Sequence, residues 1–170
     1  MKTNRKRLFI VAALFQLFIL GGMLISSNIP LWFGKEIKVN VEPVDPRSLL
    51  RGNYVRLRYD FESIAMKTNK KRDTKVYVEL KENNNSMYEF EKVSFEKPTK
   101  GIFLQGRVKG QYFKTLEIKV ANINAYFTQK ENALKLEKEL RRGSVIAVLM
   151  VDSRGKAIIK NVYGKREEKE

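Results

Sequence analysis

An unbroken apolar run fills the start of the chain, and alternating apolar and polar positions dominate from residue 36 onward. Residues 8–25, LFIVAALFQLFILGGMLI, carry no charge, and Gln16 is their only strongly polar side chain. As a helix these 18 residues are about 27 Å long, close to the thickness of a hydrocarbon core. A core helix packed on one side would show a polar stripe, and this run has none. It is also longer than the apolar core of a signal peptide, and Leu24, Ile25, Ser26 and Ser27 make a poor cleavage site. The pattern predicts a transmembrane anchor.

Beyond it the period falls to two. Ile37, Val39 and Val41 alternate with Glu36, Lys38, Asn40 and Glu42, predicting a strand that Pro43 and Pro46 end. Over residues 54–61, Val55, Leu57, Tyr59 and Phe61 alternate with Tyr54, Arg56, Arg58 and Asp60. A strand of that kind buries the first set and shows Arg56 and Arg58 to water. Residues 62–66 read as a helical turn and 67–73 as an exposed basic loop. Val76, Val78 and Leu80 begin a hairpin that turns through the Asn-rich residues 82–86 and returns over 88–95. A second hairpin joins 102–108 to 112–120, with its corner near Lys109 and Gly110 and with Leu116, Ile118 and Val120 as a buried set.

Residues 131–142, ENALKLEKELRR, break the alternation with strong helix formers, an acid at the start and bases at the end, and Gly143 suits the position just past the helix. The apolar run 144–151 predicts a central strand covered on both faces, and 157–163 completes a last hairpin after a turn at 152–155. The expected fold is mainly β: an antiparallel sandwich or partly closed barrel of about eight strands, with one helix near 131–142 and an N-terminal transmembrane helix. The expected segments are a basic tail 1–7, an anchor 8–27, a juxtamembrane linker 28–35, a β domain 36–164 and a charged tail 165–170.

Charge sets the orientation. Lys2, Arg5, Lys6 and Arg7 precede the apolar run, and no acid occurs before Glu36. The positive-inside rule then places the N-terminus in the cytoplasm and the β domain outside, in the periplasm or at the cell surface, with Trp32, Phe33 and Lys35 at the outer interface of the cell membrane. A net charge of +15 suits contact with anionic lipid or wall polymer. Residues 67–75 hold five bases in nine, but no aromatic side chains are interleaved, as a single-stranded nucleic-acid platform requires. No nucleic acid is expected as partner. The chain has no Cys and no His, which removes thiolate and imidazole catalysis and the common zinc sites. No cofactor and no metal are expected.

The remaining chemistry is thin. Ser48 stands beside Arg47, but no lysine is marked as its base. Asp45, Glu131 and Glu137 are the carboxylates from which a hydrolase or transferase acting on an envelope polymer would draw an acid–base pair, at a separation of about 5–10 Å. Two of them also have a structural explanation. Asp45 can cap a turn in Val-Asp-Pro-Arg and pair with Arg47 or Arg51. Glu131 suits a helix N-terminus.

Residues 43–59, PVDPRSLLRGNYVRLRY, resemble the signature of the GDYXXLXY protein family. Gly52, Tyr54, Leu57 and Tyr59 match it, and the lead-in Asp45, Pro46 and Arg47 is similar to the family's own. Asn53 stands where the family has Asp, an exchange that a turn tolerates and an obligatory acid or metal ligand would not. Tyr126, Phe127, Glu131, Glu137 and the closing hairpin 152–163 resemble the second half more loosely. The resemblance implies a membrane-anchored bacterial protein that accompanies a polytopic membrane partner, and it brings no reaction with it. The expected function is therefore a non-enzymatic accessory or binding subunit of the envelope, with Arg56 and Arg58 as its first contact residues. An envelope-polymer hydrolase and a spacer that binds anionic lipid or wall polymer are the alternatives. In cell fractionation the protein is expected to stay in the membrane pellet through high-salt and carbonate washes. Release into the supernatant would contradict the anchor.

Overall fold

A computed structural model describes residues 2–42, 54–143 and 145–165. The apolar run is helical, and the helix outlasts it: α1 spans Lys2–Phe33. Its stretch Lys6–Phe33 is long and apolar enough to cross a membrane, and none of its most apolar window is buried within the protein. Residues 28–33, expected in a linker, are thus helical. Pro30 lies inside the helix, buried where the helix meets the β domain. Its carbonyl accepts the Gly34 N–H at 2.9 Å and closes the last turn. Gly34 alone separates α1 from the first strand, β1 (Lys35–Val41).

The chain continues through β2 (Tyr54–Arg56), a 3-10 turn (Asp60–Glu62), β3 (Ser63–Ala65), β4 (Lys75–Glu82), β5 (Met87–Ser94), β6 (Ile102–Tyr112), β7 (Thr115–Val120) and β8 (Ala125–Phe127). Helix α2 (Lys130–Arg141), β9 (Val145–Val151) and β10 (Ala157–Gly164) follow. Eight strands form one sheet in the order β10-β9-β1-β5-β4-β6-β7-β3, and β2 pairs with β8 in a separate ribbon. Neighbours are antiparallel except β1 and β5, which are parallel. In that order β6 stands four places from β9. A flat sheet would hold them roughly 19 Å apart at about 4.8 Å per strand. Yet the Gln105 N–H of β6 donates to the Gly155 carbonyl, in the turn after β9, at 2.7 Å. The sheet is open but curled, and strands from both halves share one core that includes Ile37, Val78, Leu104, Leu116 and Leu149.

The alternation in the sequence is visible in this core, with differences at the joints. Val55, Leu57, Tyr59 and Phe61 are buried as predicted, but in the strand expected over 54–61 the ladder with β8 ends at Arg56, a single bridge joins Arg58 to Glu42, and the stretch ends in the 3-10 turn. The helical turn expected over 62–66 is replaced by β3, because Ser63, Ile64 and Ala65 find partners in Glu117, Leu116 and Thr115 of β7. The second hairpin does not turn at Lys109 and Gly110. Those residues form a bulge, and the chain reverses at Phe113, whose φ is 53°. The strand β9 is buried along almost its whole length. Helix α2 buries Ala133, Leu136 and Leu140, a spacing that puts all three on one stripe. It lies over β2, β9 and β10. Gly143, with φ 66°, ends it by donating to the Leu140 carbonyl at 2.9 Å.

The joint between α1 and β1 has no slack. A Cβ added to Gly34 would lie 2.2 Å from the Pro30 carbonyl oxygen and 3.0 Å from the Val151 nitrogen, both backbone atoms that cannot swing aside. Gly34→Ala is expected to destabilise the protein by about 1–3 kcal/mol, the usual range for overpacking. A lowered urea midpoint of the detergent-solubilised protein would register it, and an unchanged midpoint would show the joint to be yielding.

Candidate functional site

The signature stretch enters at β2, where Tyr54, Val55 and Arg56 face Phe127, Tyr126 and Ala125 of β8. Beyond Arg56 it stays extended but finds other partners. The Leu57 N–H donates to the Asn124 carbonyl at 2.9 Å, and the Arg58 carbonyl accepts the Glu42 N–H at 2.8 Å. The Tyr59 ring stacks on Phe61, with centroids 5.0 Å apart and planes 6° from parallel. Its hydroxyl donates to the Ile123 carbonyl at 2.9 Å. Burial pushes the Tyr59 hydroxyl far above the usual phenol range, so it remains a donor. Leu57 and Tyr59 are core residues, and the motif's inner face is committed to the fold.

The outer face borders a cleft of about 530 Å³. Arg56, Arg58, Lys109 and Lys119 supply four cations to its lining, against the carboxylates Glu62 and Glu117. Lys109 pairs with Glu117 at 2.8 Å. Arg58 lies 3.7 Å from Glu42, a solvent-exposed pair that contributes about 0–1 kcal/mol. Arg56 and Lys119 form no ion pair among the described residues. The Asn124 side-chain amide donates to Glu62. Burial raises the Glu62 carboxyl above its ordinary value of 4.5, while the Asn124 amide and the Arg58 and Arg56 guanidinium groups pull it down. The cleft is thus a cationic surface around a half-buried carboxyl. It can attract anionic groups.

Asp45, Pro46, Arg47, Gly52 and Asn53, together with Ser48, lie outside the described residues. Tyr54, Arg56, Leu57, Arg58 and Tyr59 are brought together as above. Glu131 and Glu137 are elsewhere, on α2. Glu131 is exposed in the helix's first turn, and Glu137 is paired with Arg141 at 2.6 Å. Six residues apart on a helix, they are offset by about 9 Å along the axis and about 120° around it. They do not converge on one pocket, and neither lines the cleft. Among the described residues no group of three or more His, Cys, Asp and Glu is placed to hold a metal ion.

Sequence reasoning missed Glu62, Asn124, Lys109, Glu117 and Lys119. The two β7 residues were within reach, since they occupy the positions opposite the buried set Leu116, Ile118 and Val120. Nothing local links Glu62 with Asn124, which stand 62 residues apart.

A helix of membrane-crossing length runs almost directly into a curled β domain, whose signature stretch is buried on one side and cationic on the other. That defines the class. The chain belongs to the GDYXXLXY protein family, which it matches over residues 16–162, from within α1 to β10. It matches no curated protein and no solved structure.

The raised Glu62 value means that the folded protein holds this proton more tightly than the unfolded chain does. The associated stability is complete below 4.5, the ordinary value, and is lost as pH rises through the folded one. The melting temperature of wild type minus that of Glu62→Gln is therefore expected to be larger near pH 4 than near pH 7. A difference that does not change with pH would contradict the burial assigned to Glu62.

Proposed function

We propose that this protein is a single-pass, membrane-anchored accessory subunit of the bacterial envelope. Its N-terminus lies in the cytoplasm and its β domain outside, and it works by binding rather than by catalysis. The observation that carries the reading is the division of labour within the signature stretch. Val55, Leu57, Tyr59 and Phe61 are spent on the core, while Arg56 and Arg58 stand exposed at the edge of a cationic cleft. A segment organised in this way offers a recognition surface, and its partner is a polytopic membrane protein with an acidic outer loop. The four bases Lys2, Arg5, Lys6 and Arg7 ahead of the apolar run support the orientation.

The test is purification of the full chain in several mild detergents. The polytopic partner is expected to co-elute, and Arg56→Glu combined with Arg58→Glu is expected to lower its recovery at least about tenfold, the equivalent of ~1.4 kcal/mol. Recovery of the wild-type chain alone, as a monomer, in every detergent would overturn the proposal.

A further inference from the structure

We propose that the groove at the helix end of the β domain binds the headgroup of an anionic phospholipid. The inference rests on the membrane-anchored reading and names a ligand that reading does not supply. The groove measures about 650 Å³, and Phe33, Lys35, Lys97, Lys100, Ile102 and Phe103 are among its lining residues.

Its position is the first argument. Phe33 is the last residue of α1, and Gly34 is the only residue before β1. Trp32 is 61% exposed and Phe33 81% exposed. Large aromatic side chains left open at the end of a membrane-length helix belong at the membrane–water boundary. The rigid joint at Gly34 keeps the groove at that boundary.

The chemistry of the lining is the second. Lys97 and Lys100 form no ion pair among the described residues, and the Lys97 ammonium rests 5.9 Å from the centre of the Phe103 ring. Lys35 gives one proton to the Tyr88 hydroxyl at 2.9 Å, and its ammonium keeps two more to donate. Asp152, the acid among the lining residues, does not compete for these cations. Its carboxylate is taken by the Arg154 side chain at 2.7 Å and by the Arg154 and Lys156 N–H groups at 2.9 and 3.0 Å. Phe103 and Ile102 give an apolar floor for the glycerol carbons beside the phosphate. That floor is closely fitted: Gly155 has φ +79°, and a Cβ there would meet the Phe103 ring at 2.7 Å.

The basic loop over residues 67–75 is the competing lipid contact. Its last residue, Lys75, pairs with Arg107, five residues along β6 from the groove residue Ile102, so separate substitutions in the loop and in the groove distinguish the two contacts.

Trp32 is the only tryptophan in the chain, so its fluorescence reports on the lipids beside the groove. The full chain is reconstituted in phosphatidylcholine vesicles that contain a minority of either brominated phosphatidylglycerol or brominated phosphatidylcholine. The brominated anionic lipid is expected to associate about fivefold more strongly than the zwitterionic one, as judged by quenching. Lys35→Gln, Lys97→Gln and Lys100→Gln together are expected to bring that ratio to about one, and Lys67→Gln, Lys70→Gln and Lys71→Gln together to leave it unchanged. Lys100→Glu alone, at an exposed position, is expected to lower the ratio should the triple variant lose its fold. Equal quenching by the two lipids would overturn the groove while leaving the anchor intact. No quenching by either would overturn the anchor and the groove together. Loss of the preference in inorganic phosphate at about 10 mM would reassign the groove to a soluble phosphate and overturn the lipid.

Discussion

The backbone at residues 123–124 is the support on which the signature stretch depends. After Arg56 the stretch leaves its strand partner, yet its polar groups still have to be satisfied as its apolar groups are buried. The Leu57 N–H goes to the Asn124 carbonyl, the Tyr59 hydroxyl to the Ile123 carbonyl and the Glu62 carboxyl to the Asn124 amide. A buried donor or acceptor left unpaired costs about 1–3 kcal/mol, so these bonds decide whether the stretch can lie in the core at all. Asn122 makes them available. Its φ of 67° is a conformation that Asn tolerates better than most residues. Only with the stretch held in this way does β3 reach β7 and complete the sheet's edge.

That support also sorts the side chains. Because the inner face is filled by Leu57 and the stacked rings of Tyr59 and Phe61, the arginines between them have one direction left. They share the cleft with Lys119 and with Lys109, the residue that bulges out of register in β6. The cationic cleft is thus a by-product of packing that a binding subunit can exploit.

At the other end of the domain the constraint is steric. Glycine at position 34 lets the helix end and the strand begin within one peptide unit, against the backbone of Val151. Where a longer linker would let the domain tumble, this joint fixes its base relative to α1. On the membrane-anchored reading, the end of the β domain that carries this joint faces the lipid headgroups.

Much of this was legible in the sequence. Alternation marked Ile37, Val39, Val41, Val76, Val78 and Leu80 as core, and helix chemistry placed α2 to within a residue, with Gly143 closing it. The apolar run marked α1. These features depend on neighbours within a turn or two of one another, and local sequence contains the whole cause. The corner of the second hairpin was misread because a glycine can serve a bulge as well as a turn. What the sequence by itself determined was therefore which faces are apolar, where the helices lie and which way the positive charge biases the chain. The tertiary structure alone decided which strands are neighbours, that β1 and β5 run parallel, that the sheet curls until Gln105 meets Gly155, and that Glu62 and Tyr59 find their partners near residue 124. Those contacts join residues far apart in the chain. Chain entropy and the need to satisfy every buried polar group select them, and neither leaves a mark on the residues nearby.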